Sequence, residues 1–264
     1  MTHKSWLGIY SVLLLTCCWI ACQPKASSET EATTASANLP TVKTVTLTHY
    51  FPDSLLNRFQ PDINAFRQED SLRTLPTGGA LFVGSSSIRF WDSLASDMAP
   101  VPVINRGFGG STLPEVLHYF YQLVPVHRPQ VVVLYAGEND LAMEGAGITP
   151  ENVLETFQIF VNSVKDTLPD TKIYYISVKP SPARWALWPQ FQQANQLIKE
   201  YTNTQQKVVF VDAAATMLQP DGTVKKDIFV ADSLHMNRRG YVLWTKVLKP
   251  SLLNDFSVSD SLTQ

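Results

Sequence analysis

The residues able to do chemistry fall in four short segments. Gly84-Ser-Ser-Ser-Ile-Arg89 carries three consecutive serines, any of which offers a hydroxyl for nucleophilic attack or for capping a helix. Far downstream, Ala231-Asp-Ser-Leu-His-Met236 sets a carboxylate and an imidazole three positions apart. At that spacing Asp232 can hold His235 in the tautomer that accepts a proton from a hydroxyl, and can stabilise the imidazolium that forms. Between them lie Asn105-Arg-Gly-Phe-Gly-Gly-Ser-Thr112, whose glycines let a backbone N–H approach a ligand closely, and Gly137-Glu-Asn-Asp140, where Asn139 offers an uncharged amide donor. Serine, imidazole, carboxylate and neutral donors are together the parts of acyl transfer through a covalent acyl-serine. Taken singly, each segment also reads as an ordinary cap, tight turn or surface pair.

Something must bring these segments together, and the intervening sequence supplies it. Short apolar, β-branched runs occur at 80–83, 101–104, 131–135, 172–178 and 207–211, nearly continuous as expected of parallel strands buried on both faces. Helical spacing recurs at 54–72, 88–97, 113–123, 150–168, 189–203 and 237–248. The alternation predicts one α/β domain with a parallel sheet and helices on both faces. Every strand then ends in small or polar residues along one edge, where ligands of open α/β folds bind. A serine following the first strand would have its hydroxyl at that edge and its backbone N–H at a helix start. Of the five histidines, only His235, and less readily His49, can reach these serines: His3 is in the N-terminal segment, His118 is within a helix, and His127 precedes a strand and so belongs to the opposite edge. Asp212, at the end of the fifth strand, competes with Asp232 for the role of acid. No histidine cluster accompanies Glu138 or Asp140, so no metal site is expected.

Composition sets the outer limits. The 264 residues are 45% hydrophobic and 17% charged, with a formal net charge of −2. No basic run exceeds a pair, which gives nucleic-acid binding no support. The three cysteines, Cys17, Cys18 and Cys22, all lie near the N-terminus, so disulfides and thiolate metal sites are not expected in the folded part. Residues 1–22 read as an export signal: Lys4 precedes an apolar run from Trp6 to Thr16 that is short for a bilayer span. Ala21-Cys22 has the character of a bacterial lipoprotein cleavage site, with Cys18 as the alternative. A tether rich in Ala, Ser, Thr and Glu follows over 23–40, then the folded domain over 41–255 and a tail over 256–264. The expectation is a bacterial envelope protein held to a membrane by a lipid on Cys22.

Together, and in this order, the four segments resemble those of the SGNH (GDSL-like) hydrolase family over roughly residues 80–249. The resemblance implies a flavodoxin-like three-layer α/β/α sandwich with a five-stranded parallel sheet, and an ester hydrolase needing no cofactor. It places the nucleophile on Ser86, the acid and base on Asp232 and His235, and the oxyanion donors on the N–H groups of Ser86 and Gly110 and the amide of Asn139. One departure is that the family's Gly-Asp-Ser is Gly84-Ser85-Ser86 here. The substrate is expected from the loop Lys179-Pro-Ser-Pro-Ala-Arg-Trp-Ala-Leu-Trp188: Arg184, Trp185 and Trp188, with Arg89, are candidate contacts to an acetylated saccharide. Lipid esters such as lysophospholipids are the alternative. A non-catalytic carbohydrate-binding lipoprotein, using Trp91, Trp185 and Trp188 as stacking platforms, is the reading from another class.

Overall fold

The computed structural model describes residues 57–73, 75 and 77–262. The readings for the export signal, Cys18, Cys22, the tether over 23–40, the first part of the domain over 41–56 and His49 lie outside them. Five strands, β1 (Ala80–Gly84), β2 (Val103–Gly107), β3 (Val131–Tyr135), β4 (Lys172–Ile176) and β5 (Val208–Val211), form an all-parallel sheet in the order β2-β1-β3-β4-β5. The main helices are α1 (Gln60–Leu72), α2 (Ser86–Arg89), α3 (Leu113–His118), α4 (Pro150–Thr167), α5 (Trp188–Asn203) and α6 (Arg238–Leu262).

Alternate strand residues feed two separate cores, which is what a three-layer sandwich requires. Leu81, Val83, Val132, Leu134, Ile173 and Tyr175 pack with Ile63, Val116, Phe157, Phe160, Phe191 and Ile198 of α1, α3, α4 and α5. Phe82, Val131, Val133, Tyr135, Tyr174 and Ile176 pack on the other face with Tyr241, Trp244, Leu248 and Leu252 of α6. Because both faces are covered, the strands can be apolar at every position, and so they appear in the sequence as runs rather than as alternations.

The strand order creates the crevice. After β1 the chain moves outward to β2, then returns to β3 on the other side of β1 and proceeds to β4 and β5. Connections leaving β1 and β3 thus diverge, and the gap opens at their carboxyl ends. Gly84 is level with Gly107 on one side and with Tyr135 on the other, so the three segments that follow these strands emerge together.

Three boundaries differ from the sequence reading for physical reasons. The first helix begins at Gln60 rather than Ser54, with Pro61 in its first turn, where the missing N–H has no intrahelical acceptor to lose. Strand β2 runs to Gly107, well past the expected end at 104, and takes in Arg106. A buried arginine in a strand is tolerated because Arg106 ion-pairs with Glu69 and Asp70 of α1. The last helix continues past Pro250 to Leu262 instead of ending at 248, carried by Leu252, Leu253 and Phe256 packing on the second core. Residues 256–262 are accordingly the end of this helix.

Candidate functional site

The turn after β1 depends on Gly84. Its φ of 132° lies where side chains are rarely accommodated, and a Cβ there would approach the Tyr135 carbonyl oxygen to 1.9 Å. That close approach lets Ser85 N–H donate to the same carbonyl at 3.0 Å, and Ser85 C=O then accepts from the N–H groups of Ile88 and Arg89 to start α2. The Ser85 position, where the resembling family has aspartate, therefore works through its backbone as the helix N-cap. Ser86 becomes the first helical residue, its N–H without an intrahelical acceptor.

A two-strand bridge positions the second segment. Val230 and His235 are linked by a backbone hydrogen bond, Phe229 pairs antiparallel with Met236, and Ser233 takes a left-handed conformation at the bend between them. Asn237 fixes the exit: its amide nitrogen donates to the carbonyls of Asp227 and Phe229, while its oxygen accepts from Arg239 N–H at the start of α6. His235 Nε2 lies 3.0 Å from Ser86 Oγ, and His235 Nδ1 lies 2.6 Å from Asp232 Oδ2. The other Asp232 oxygen accepts backbone N–H from Leu234 and His235, each at 2.9 Å. Partial desolvation pushes the Asp232 carboxyl upward, but these hydrogen bonds and the imidazole outweigh it and hold the pKa at about 2. Asp232 is thus an anion throughout the pH range of ordinary assays. Asp212 does not compete, since it caps the N-terminus of the turn 213–216 through Ala215 N–H.

Gly110 and Asn139 stand at the same edge. Gly110 has φ of 81°, and no hydrogen bond from its N–H to another described residue occurs. Its neighbour Gly109 backs onto Ser86: a Cβ at 109 would come 3.9 Å from Ser86 Cβ. Asn139 Nδ2 donates to Ser111 C=O at 2.9 Å, and one amide hydrogen remains. Asp140 ties the same two segments together by accepting Leu113 N–H at 3.0 Å and 3.1 Å, one contact to each carboxylate oxygen, at the start of α3.

Asp140 is buried, and desolvation raises its pKa from 3.8 to about 7 despite the backbone hydrogen bonds. The folded chain then retains a proton that the unfolded chain releases above about 4, so this group's stabilisation is full below that pH and is lost as pH rises through 7. Asp140→Asn keeps the acceptor and cannot ionise. The difference in Tm, variant minus native, is expected to increase as pH rises from about 4 to about 7, read by calorimetry; parallel Tm profiles would show that Asp140 ionises without cost.

The remaining predicted contacts separate by burial. Trp91 is 1% exposed, donates its indole N–H to Asp97 and stacks on Tyr241, so it belongs to the core. Trp188, at 8%, is likewise a core residue and is corrected from its expected role as a sugar platform, and it stacks on Trp185 at 6.1 Å. Trp185 itself is exposed at 37%. Its loop is docked to the site, because Ala183 N–H donates to Ser233 C=O between Asp232 and His235. Arg184 Nη1 is engaged with Glu138 and Asn139, each at 3.0 Å. Arg89 pairs with Asp62 of α1 at 2.8 Å, and its Cδ lies 3.4 Å from where a Cβ at Gly109 would sit, which leaves it beside Ser86. The sequence reading missed Phe90, whose ring stands edge-on to His235 at 5.0 Å while half exposed. Among the described residues there is no group of three or more His, Cys, Asp or Glu able to hold a metal, and no helix long and apolar enough to cross a membrane.

With this geometry in place, the sequence profile of the GDSL-like Lipase/Acylhydrolase family matches residues 77–243, more than half of the chain and all four segments. The chain belongs to this family. It is accordingly a carboxylic ester hydrolase. No curated protein matches it in sequence. Among solved structures, a Streptococcus pneumonia protein described as a platelet activating factor is 22% identical, with TM-score 0.66 over 75% of this chain and 94% of that one. A GDSL-like lipase from Bacteroides thetaiotaomicron is 20% identical, with TM-score 0.62 over 73% and 97%. An acetylxylan esterase from Geobacillus stearothermophilus is 15% identical, with TM-score 0.57 over 68% and 96%. At these identities the likeness is one of fold, and it bears out the five-stranded α/β/α sandwich expected of this GDSL-like hydrolase.

Proposed function

We propose that this GDSL-like hydrolase is a serine esterase that removes short acyl groups, chiefly O-acetyl, from saccharides. The observation that carries the reading is the unbroken hydrogen-bonded relay from Ser86 Oγ through His235 to an ionised Asp232 at the mouth of the crevice. His235 Nε2 takes the Ser86 proton as Oγ attacks the ester carbonyl, and the resulting oxyanion receives the N–H groups of Ser86 and Gly110 and the free amide hydrogen of Asn139. His235 then gives its proton to the departing alcohol oxygen. Water, deprotonated by the same imidazole, attacks the acyl-serine, and the acid leaves as the serine regains its hydrogen.

The saccharide part of the proposal rests on the rim. Trp185 presents an indole face from a loop bonded to both the histidine bend and Asn139, and an indole stacks well on the apolar face of a sugar ring. That solved structures of similar fold include an acetylxylan esterase is consistent with this. The binding-only reading loses two of its three platforms to the core, since Trp91 and Trp188 are buried. A lipid ester remains the second reading because Phe90, whose ring meets His235, and Val230, bonded to its backbone, are exposed and apolar.

A chain-length series tests this. kcat/KM for p-nitrophenyl esters is expected to fall from acetate to octanoate by about tenfold or more, a difference of over 1 kcal/mol in transition-state binding. Acetate release from acetylated xylan should drop in Trp185→Ala while p-nitrophenyl acetate hydrolysis is maintained. Preference for octanoate, with no acetate released from any acetylated glycan, would give the site to lipid esters.

A further inference from the structure

Beneath the crevice lies a buried charge cluster that the hydrolytic steps do not use. Glu138 and Lys179 are both nearly inaccessible, with side-chain exposures of 4% and 1%. Lys179 Nζ donates to both Glu138 oxygens, at 3.2 Å and 2.9 Å, and Tyr135 Oη donates to Oε2. Burial drives the Glu138 carboxyl upward, but Lys179 and Arg184 outweigh this and hold it below the usual carboxylate range. The anion is therefore saturated with donors, and Arg184 adds a second positive charge to a cluster that one lysine would already neutralise. Arg184 is only partly buried, and its guanidinium has a further acceptor beside Glu138.

The second acceptor is Asn139. Arg184 Nη1 bridges Glu138 Oε1 and Asn139 Oδ1, while Asn139 Nδ2 donates to Ser111 C=O. These two bonds fix the amide plane. Rotating the amide by 180° would turn its N–H groups toward the guanidinium and lose the bond to Ser111. A cation on the amide oxygen also polarises the amide, strengthening its remaining N–H as a donor.

We infer that Arg184, anchored by Glu138, which Lys179 in turn holds in place, is a positioning residue that orients and polarises the Asn139 amide as an oxyanion donor, rather than a contact to the substrate. The inference rests on the proposed roles of Ser86 and Asn139. It assigns a task to the Lys179-Pro-Ser-Pro-Ala-Arg184 loop beyond carrying Trp185: the loop completes the oxyanion site from across the crevice, using an arginine 45 residues from the asparagine it serves.

A double-mutant cycle on p-nitrophenyl acetate decides the matter. Arg184→Ala is expected to lower kcat by about tenfold or more, as for loss of one charge-assisted hydrogen bond, with KM changed by less than about twofold. Arg184→Lys should recover most of kcat, because an ammonium can also donate to both oxygens. In Asn139→Ala, the further change Arg184→Ala should cost little, since its effect passes through an amide no longer present. A raised KM with unchanged kcat would make Arg184 a substrate contact and overturn the inference, as would additive losses in the double variant. Full activity in Asn139→Ala would sink the inference alone if Ser86→Ala is inactive; if Ser86→Ala is active, the proposed function falls as well. Arg184 is partly exposed, so its variants should fold, and thermal melts of each confirm that they do.

Discussion

Ser86→Ala is expected to lower kcat for p-nitrophenyl acetate by about a thousandfold or more, while the Tm stays close to that of the native protein. The size follows from the chemistry: without the hydroxyl no acyl-enzyme can form, and only the polarising donors remain to assist direct attack by water. The small effect on stability follows from the position. Ser86 is partly exposed and its Oγ meets His235 rather than filling the core, so truncation leaves no cavity. Ser85 and Ser87 provide the control, since both are buried and the hydroxyl at hydrogen-bond distance from His235 Nε2 is that of Ser86. Ser85→Ala and Ser87→Ala should retain kcat within about tenfold and show their effect, if any, in Tm. Reaction with a fluorophosphonate should label Ser86 in the native chain and nothing in Ser86→Ala. Hydrolysis that survives in Ser86→Ala and disappears in a neighbour's variant would move the nucleophile.

Asp232→Asn is expected to cost about a hundredfold to ten-thousandfold in kcat, with little change in KM. An asparagine can keep the backbone bonds to Leu234 and His235 through its oxygen, so the bend should survive. The group then facing His235 Nδ1 is an amide N–H. That donor favours the tautomer with the hydrogen on Nε2, which cannot accept the Ser86 proton. It also removes the anion that stabilises the imidazolium. Because Asp232 is almost half exposed, water can replace part of the lost interaction, which argues for the lower part of that range. Asp212→Asn is the matching control and should leave kcat unchanged, since Asp212 caps a turn. Equal losses in the two variants would mean that charge near the sheet edge matters generally and that the Asp232 bond does not.

The legible part of this protein was whatever depends on residue type along a short stretch. Uninterrupted β-branched runs mark strands covered on both faces, and their regular alternation with helical spacing left a parallel three-layer sheet as the economical arrangement. Gly84 with the serines that follow it, Asn139 in its Gly-Glu-Asn-Asp turn, and the three-residue spacing of Asp232 and His235 all declared chemistry locally. Each of these segments follows a strand or precedes a helix, so topology alone carries it to one edge.

What the sequence could not decide was which side chains face one another across the molecule. The tryptophans show this most clearly. Trp185 and Trp188 sit three apart in one loop, yet α5 begins at Trp188 and turns its ring into the first core, leaving Trp185 outside. Arg106 lies past the strand end expected at 104, and the arrival of Glu69 and Asp70 on α1 makes its charge stable within β2. Arg184 read as a ligand contact because a cation near a strand end is free until its partner is known, and its partners come from the turn after β3. The sequence by itself thus determined the fold class and the candidate reacting groups, because these follow from local pattern and functional-group chemistry. The tertiary structure decided burial, ion pairing and which side chains meet, because those depend on surfaces brought together over long separations, as Ser86 and His235 are across 149 positions.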